Sequence, residues 1–166
     1  MSFPTPFARH RAEVLPAWID GNNHMNMGYY TVLFDLATDD LWDELGIGRA
    51  YKVERGCGTF AAEGHIIYER EMLLGERGLV HSRVVGADAK RLHIAHELFR
   101  DKDGLRAAAQ EFIFLNVDLG RRKVTPWPDD VMAVLHRAVA AHAALPPLDW
   151  AGRRVALPVP AAVAKP

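Results

Sequence analysis

Cysteine is nearly absent: Cys57 stands alone in 166 residues, so no internal disulfide forms and a reducing compartment is the expected setting. Nor is charge of one sign in excess. With 20 basic against 21 acidic residues the formal net charge is −1, which leaves no overall field to recruit nucleic acid or an anionic membrane surface. A charged ligand must be met by local groups. No run approaches the roughly 18–20 apolar residues of a membrane span, and prolines interrupt the opening MSFPTPFARHR, so neither an anchor nor a secretory leader is expected. There is no internal repeat, and a cytoplasmic protein is the expectation. What is present suits one globular domain, with 49% of residues apolar.

The chain divides into an expected flexible arm (1–8), a domain (9–145) and a Pro- and Ala-rich tail (146–166) whose last residues are expected to be disordered. Arg9 to Leu15 reads as a first strand stopped by Pro16. From Val32 the apolar positions fall at Val32/Leu33, Leu36/Ala37, Leu41 and Leu45, a helical period that Gly46 and Gly48 end. Arg49 to Gly58 is charged and reads as a connection. The period then changes to that of strands: FAAEGHIIYEREM, GLVHSRVVGA, RLHIAHELFRD and LRAAAQEFIFLNVD, separated by turn signals. In the third, Leu92, Ile94, His96 and Leu98 share one face, and Arg91, His93, Ala95, Glu97 and Phe99 share a wetter one. A short strand at Val124-Thr125 and a second helix, Val131 to Ala144, complete the domain. One long helix followed by consecutive strands with short turns gives an α+β class, the helix lying across an antiparallel sheet.

The stretch that carries chemistry is WIDGNNHMNMGYY, a polar turn that runs straight into the start of the long helix. The first N–H groups of a helix lack intrahelical acceptors and sit at the positive end of its dipole, so a carbonyl oxygen placed there is polarised. Asn26 is the expected N-cap, with Asn23 as the alternative. Within a few residues the turn then offers a carboxylate (Asp20), an amide (Asn22) and an imidazole (His24), beside oxyanion donors at the N–H groups of Met27 and Gly28. Residue types alone also fit a plain turn and cap, since Asp, Gly and Asn are what turns prefer.

The pattern Asp20-x-Asn22-x-His24-x-Asn26 before an aromatic-rich helix resembles the hot-dog-fold acyl-CoA thioesterases of the 4-hydroxybenzoyl-CoA thioesterase type. Within that family WIDGNNHMN, FDLATDDLWDELGIG, GADAKRLHIAHELF and VDLGRRKVTPWPDDV are most similar to betainyl-CoA thioesterases of carnitine breakdown, over roughly Arg11 to Pro158. The resemblance implies a single hot-dog domain, a long central helix wrapped by an antiparallel sheet with a short C-terminal helix. It implies a homodimer or higher homo-oligomer, and no cofactor beyond coenzyme A carried by the substrate. Asp20 takes the place of the catalytic carboxylate, as general base or nucleophile, with Asn22 positioning water and His24 orienting Asp20 or donating to the thioester. Glu63 is a second catalytic candidate, on a strand expected beside the partner's helix start; Glu69 and Glu71, nearer the turn, carry less weight. Lys90 with Arg91, or the run Arg121, Arg122 and Lys123, would meet coenzyme A phosphates. A quaternary ammonium would be held by aromatic faces among Trp18, Tyr29, Tyr30, Trp42 and Phe60, with charge from Asp35 or Asp39; Asn26 also borders the expected substrate site.

Other patterns are weaker. Cys57 between glycines has no histidine placed beside it. His93-Ile94-Ala95-His96-Glu97 resembles a zinc motif only if helical; on a strand the two histidines point to opposite faces, so no metal is expected. Hot-dog enoyl-CoA hydratases resemble Asp-x-Asn-Pro-x-His, a spacing this chain lacks. A non-catalytic acyl-CoA-binding module is the remaining alternative.

Overall fold

Helix α1 (Met27–Leu45) starts where Asn26 caps it, the Asn26 side chain accepting from the Gly28 N–H at 2.9 Å, and stops where Gly46 turns left-handed at φ 71. The structure, a computed structural model, describes residues 3–156. Before α1 come the short strand β1 (Arg11–Glu13) and a single 3-10 turn at Pro16–Trp18. After it come α2 (Arg49–Arg55), β2 (Cys57–Tyr68), β3 (Arg77–Ala87), β4 (Arg91–Arg100), β5 (Arg106–Asp118), β6 (Lys123–Val124) and α3 (Asp129–His142). The charged connection expected from Arg49 is thus a helix, closed by Gly56 in the left-handed conformation.

The strands form one antiparallel sheet in the order β1-β3-β4-β5-β2, with β6 added along β5. On β4 the expected alternation puts Leu92, Ile94, His96 and Leu98 fully inside, beneath α1. From the helix side Leu33, Phe34, Ala37, Leu41 and Leu45 fill the same space, while Val32 and Leu36, their neighbours in the apolar pattern, stay exposed. Two core clusters result. One centres on α1 and the Trp42, Leu92, Ile94 and Phe114 side chains with α3; the other lies under the N-terminal half of α1 with Met25, Tyr30, Met72 and Leu98.

The outer face of β4 is not the wet surface its sequence suggests, because Ala95 and Glu97 are buried under the segment that follows α3. That segment crosses the strands one by one. Arg83 on β3 donates to the Pro146 carbonyl at 2.7 Å, the Trp150 indole donates to Glu97 on β4 at 3.2 Å, and the Gly152 N–H donates to Glu111 on β5 at 2.7 Å. The proline-rich tail is therefore packed as far as Gly152; the expectation of disorder falls on residues outside those described.

At the other end, the residues read as an arm also pack where they are described. Phe7 is buried and exchanges backbone hydrogen bonds with Ser82, at 3.1 and 2.7 Å. Phe3 sits edge-on to His142, whose Nε2 reaches the Pro4 carbonyl at 3.1 Å. Among the described residues no helix is long and apolar enough to cross a membrane.

Candidate active site

The polar turn before α1 is a closed loop. Ile19 and Met25 pair at its base, the Asp20 N–H donates to the His24 carbonyl at 3.0 Å, and the Asn23 N–H donates to the Asp20 carbonyl at 3.0 Å. The left-handed position the loop needs falls on Asn23 (φ 63), a residue type that tolerates it. Two further bonds fix the loop to the fold: Asn26 N–H to the Trp18 carbonyl, and Met25 N–H to the Met72 carbonyl at 2.8 Å. The second ties it to the segment leaving β2.

Within this frame the Asp20 carboxylate accepts from the Asn22 N–H at 2.9 Å and faces His24, whose Nδ1 lies 3.7 Å from Asp20 Oδ1 and 3.3 Å from the Met25 carbonyl. At 3.7 Å the pair is an electrostatic contact rather than a hydrogen bond. Both side chains are partly open to solvent, at 22% for Asp20 and 34% for His24. Asn22 enters through its backbone, not its amide.

At the helix start the two expected oxyanion donors part company. The Gly28 N–H is committed to the Asn26 cap, whereas Met27, first in the helix, has no intrahelical acceptor for its N–H and carries an exposed side chain. One backbone donor is therefore open.

Beside it lies a cavity of about 290 Å³, lined by His24, Met27, Tyr30, Tyr68 and the Glu69–Glu71 segment. Tyr68 donates to the Met27 carbonyl at 3.2 Å and meets Tyr30 edge-on at 5.3 Å. Tyr30 is itself fixed, its hydroxyl accepting from the Met72 N–H and facing the Arg70 carbonyl; burial raises its phenol. Sequence reasoning gave little weight to Glu71 and passed over Tyr68. No local signal marks them, since they reach α1 only because Met25 and Tyr30 hold the end of β2 against it.

Other expected residues lie elsewhere. Trp18 and Tyr29 stack on each other at 5.5 Å and pack beside the loop. Trp42 is buried against Phe114 in the core. Lys90 and Arg91 occupy the turn after β3, whose 11 residues put about 33 Å between its ends, so within one chain they stand far from the loop. There Asp88 accepts from both backbone N–H groups and from the Arg91 guanidinium, which holds the Asp88 carboxyl down at about 2. Phe60 lies at the same end of the sheet under the Arg122 guanidinium, and Glu63 sits at a bulge midway along β2. His93 pairs with Glu111 at 2.8 Å while His96 lies buried on the opposite face, which removes the zinc reading of that strand.

Residues 14–135 match the family described as the Thioesterase-like superfamily. A betainyl-CoA thioesterase of Pseudomonas aeruginosa is 33% identical over 149 residues, 90% of this chain and 94% of that protein. An L-carnitine dehydrogenase/betainyl-CoA thioesterase of Rhizobium meliloti is 34% identical over 86% of this chain, which spans 29% of that longer protein. Among solved structures, a Staphylococcus aureus protein in complex with CoA superposes with a TM-score of 0.84 at 23% identity, over 92% of this chain and 95% of that one. The fold, the loop before the helix and these relatives agree: the chain belongs to the thioesterase-like superfamily and is a thioester hydrolase with the hot-dog fold.

Proposed function

We propose that the protein hydrolyses acyl-CoA thioesters at the loop and helix start, with Asp20 as general base or nucleophile, and that betainyl-CoA is a substrate. One observation carries the assignment: an imidazole (His24) and the open Met27 N–H at a helix N-terminus border one cavity, and the Asp20 carboxylate stands 3.7 Å from that imidazole. A thioester carbonyl oxygen placed at the Met27 N–H is polarised there, and the charge that grows on it in the tetrahedral intermediate strengthens that hydrogen bond. As base, Asp20 takes a proton from the attacking water, and the intermediate collapses by expelling the CoA thiolate, which recovers a proton from Asp20 or His24. As nucleophile, Asp20 attacks the thioester carbonyl carbon and the C–S bond breaks to expel the CoA thiolate, leaving a mixed anhydride that water then hydrolyses to the free acid and the Asp20 carboxylate. Betainyl-CoA comes from the relatives in Pseudomonas aeruginosa and Rhizobium meliloti.

A second copy completes the site. β2 is an edge strand of 12 residues with an exposed middle, a length of unpaired backbone that proteins rarely leave open. Phe60 and Arg91 stand in line across the sheet, both opposite Leu115, while Tyr68 stands opposite Ala108 at the other end. Antiparallel pairing of β2 with its own copy brings the Phe60 and Arg91 end of one subunit beside the Tyr68 and Asp20 end of the other. Lys90, Arg91 and Glu63 then serve the neighbouring site.

The test is release of free CoA thiol from betainyl-CoA, acetyl-CoA, a medium-chain acyl-CoA and 4-hydroxybenzoyl-CoA, with Asp20→Ala alongside. Loss of a positioned acid/base group costs about 10²–10⁴ in rate, so the variant is expected to fall by at least that lower bound. Full activity in Asp20→Ala would remove the assignment.

A further inference from the structure

We propose that the cavity beside the start of α1 selects a cationic acyl head, received by the Tyr68 ring and the Glu71 carboxylate. This rests on the thioesterase reading above and adds the chemistry of the acyl group.

The argument starts from where an acyl group must go. With the carbonyl oxygen at the Met27 N–H, the first atoms of the acyl chain fall into the cavity that Met27 borders. Tyr68 is held there by its own bond to the Met27 carbonyl, with 44% of its surface still open. Tyr30 has both functions of its hydroxyl engaged by the backbone, so it presents only ring to a ligand. The near wall is aromatic.

Charge decides what that wall suits. Glu69 is taken up by Arg106, at 2.6 and 3.2 Å, which holds its carboxyl low. Arg70 is directed at the Arg106 carbonyl at 2.8 Å and at Glu69. Among the described residues Glu71 is exposed and has no Lys, Arg or His within ion-pair distance of its carboxylate; only its backbone carbonyl is engaged, by Arg100. The cavity thus carries one carboxylate without a direct ion pair, the Arg100 guanidinium acting on it only at longer range from its pairing with Asp103, beside two aromatic rings. That combination attracts an onium group, which offers no N–H to donate and is held by ring faces and by charge.

Distance separates this site from the carboxylates of α1 considered earlier. Asp35 is eight residues from Met27, or about 12 Å along the helix axis, and Asp39 about 18 Å. An onium one methylene away from the thioester carbonyl reaches neither of them. The end of β2 is within its range.

The test compares betainyl-CoA with 3,3-dimethylbutyryl-CoA, which puts carbon in place of the charged nitrogen and keeps the shape. The quantity read is the ratio of kcat/KM for the two substrates within one protein, which is independent of how much of a variant folds. The wild-type ratio is expected to favour betainyl-CoA by about tenfold or more, to fall about tenfold in Glu71→Gln and to fall also in Tyr68→Leu. Glu71→Lys is expected to invert it. Equal turnover of the two substrates by the wild type, or an unchanged ratio in Glu71→Gln, overturns the inference and leaves the thioesterase reading standing. Absence of CoA release from any thioester overturns both.

Discussion

His96 is the clearest case of a single residue whose surroundings dictate its behaviour. It lies wholly buried under α1, stacked on Phe34 at 5.7 Å, with Thr38 Oγ1 at 2.9 Å from Nε2 and Ser82 Oγ at 2.8 Å from Nδ1. Because Thr38 already donates to the Phe34 carbonyl, its oxygen accepts from Nε2–H and Ser82 donates to Nδ1, which fixes the neutral tautomer. Burial pushes the imidazole down from 6.5 to about 3. Below 6.5 the unfolded chain therefore takes up a proton that the folded chain refuses, so this contribution is present in full above 6.5 and is lost as the pH falls. The expected slope is about 1.4 kcal/mol of stability per pH unit from His96 alone. His142 and His81, also lowered by burial, act in the same direction. Urea unfolding at pH 5, 6 and 7 checks this: in His96→Gln the slope is expected to fall by about one proton, and an unchanged slope would assign the titration elsewhere.

At the scale of elements, the C-terminal segment shows where local pattern stops being informative. The helix from Met27 and the strands from Arg77, Arg91 and Arg106 were legible because each carries its own period, and Asn26 and Gly46 mark the helix ends by local chemistry. Arg49–Arg55 was missed because a charged, solvent-facing short helix leaves no apolar stripe, only Tyr51 being buried. Pro146 to Gly152 has no period at all. Its place is set by partners far away in sequence: Arg83, Glu97 and Glu111 on three different strands. The same holds for the candidate site, since Asp20, Asn22 and His24 were readable as neighbours on one loop while Tyr68 and Glu71 meet His24 across the cavity only through the fold. Trp150 is the anchor of the strap, 1% exposed over Ala95 and Ala109, with Arg106 above its ring. Trp150→Ala is expected to cost about 3 kcal/mol, the lower end for emptying a buried aromatic site, because the strap can partly collapse onto the two alanines. A urea midpoint that does not move would mean the strap contributes nothing to holding the sheet.

For the whole molecule the open question of assembly turns on the two sheet edges, which are unlike. β1 is only 3 residues long and is followed on β3 by the Phe7 bridge to Ser82, so that edge is short and partly covered. β2 offers 12 residues, and its pairing to β5 is interrupted between Ala61 and Glu63. A bulge re-aims an edge rather than closing it, β2 itself holds no proline or lysine, and among the described residues no helix lies along it to block an incoming strand. The proposed dimer uses this edge and depends on it for catalysis, because the Phe60 and Arg91 end of one subunit reaches the Asp20 end of the other. Ala62, at the bulge, is where a proline disturbs the single chain least, since the ladder to β5 is already broken there. Ala62→Pro is therefore expected to shift sedimentation from dimer to monomer, to make the melting temperature independent of protein concentration and to lower thioester hydrolysis in proportion. Activity that survives in a variant shown to be monomeric would place every group the reaction needs within one chain. A variant that stays dimeric with full activity would move the interface off β2.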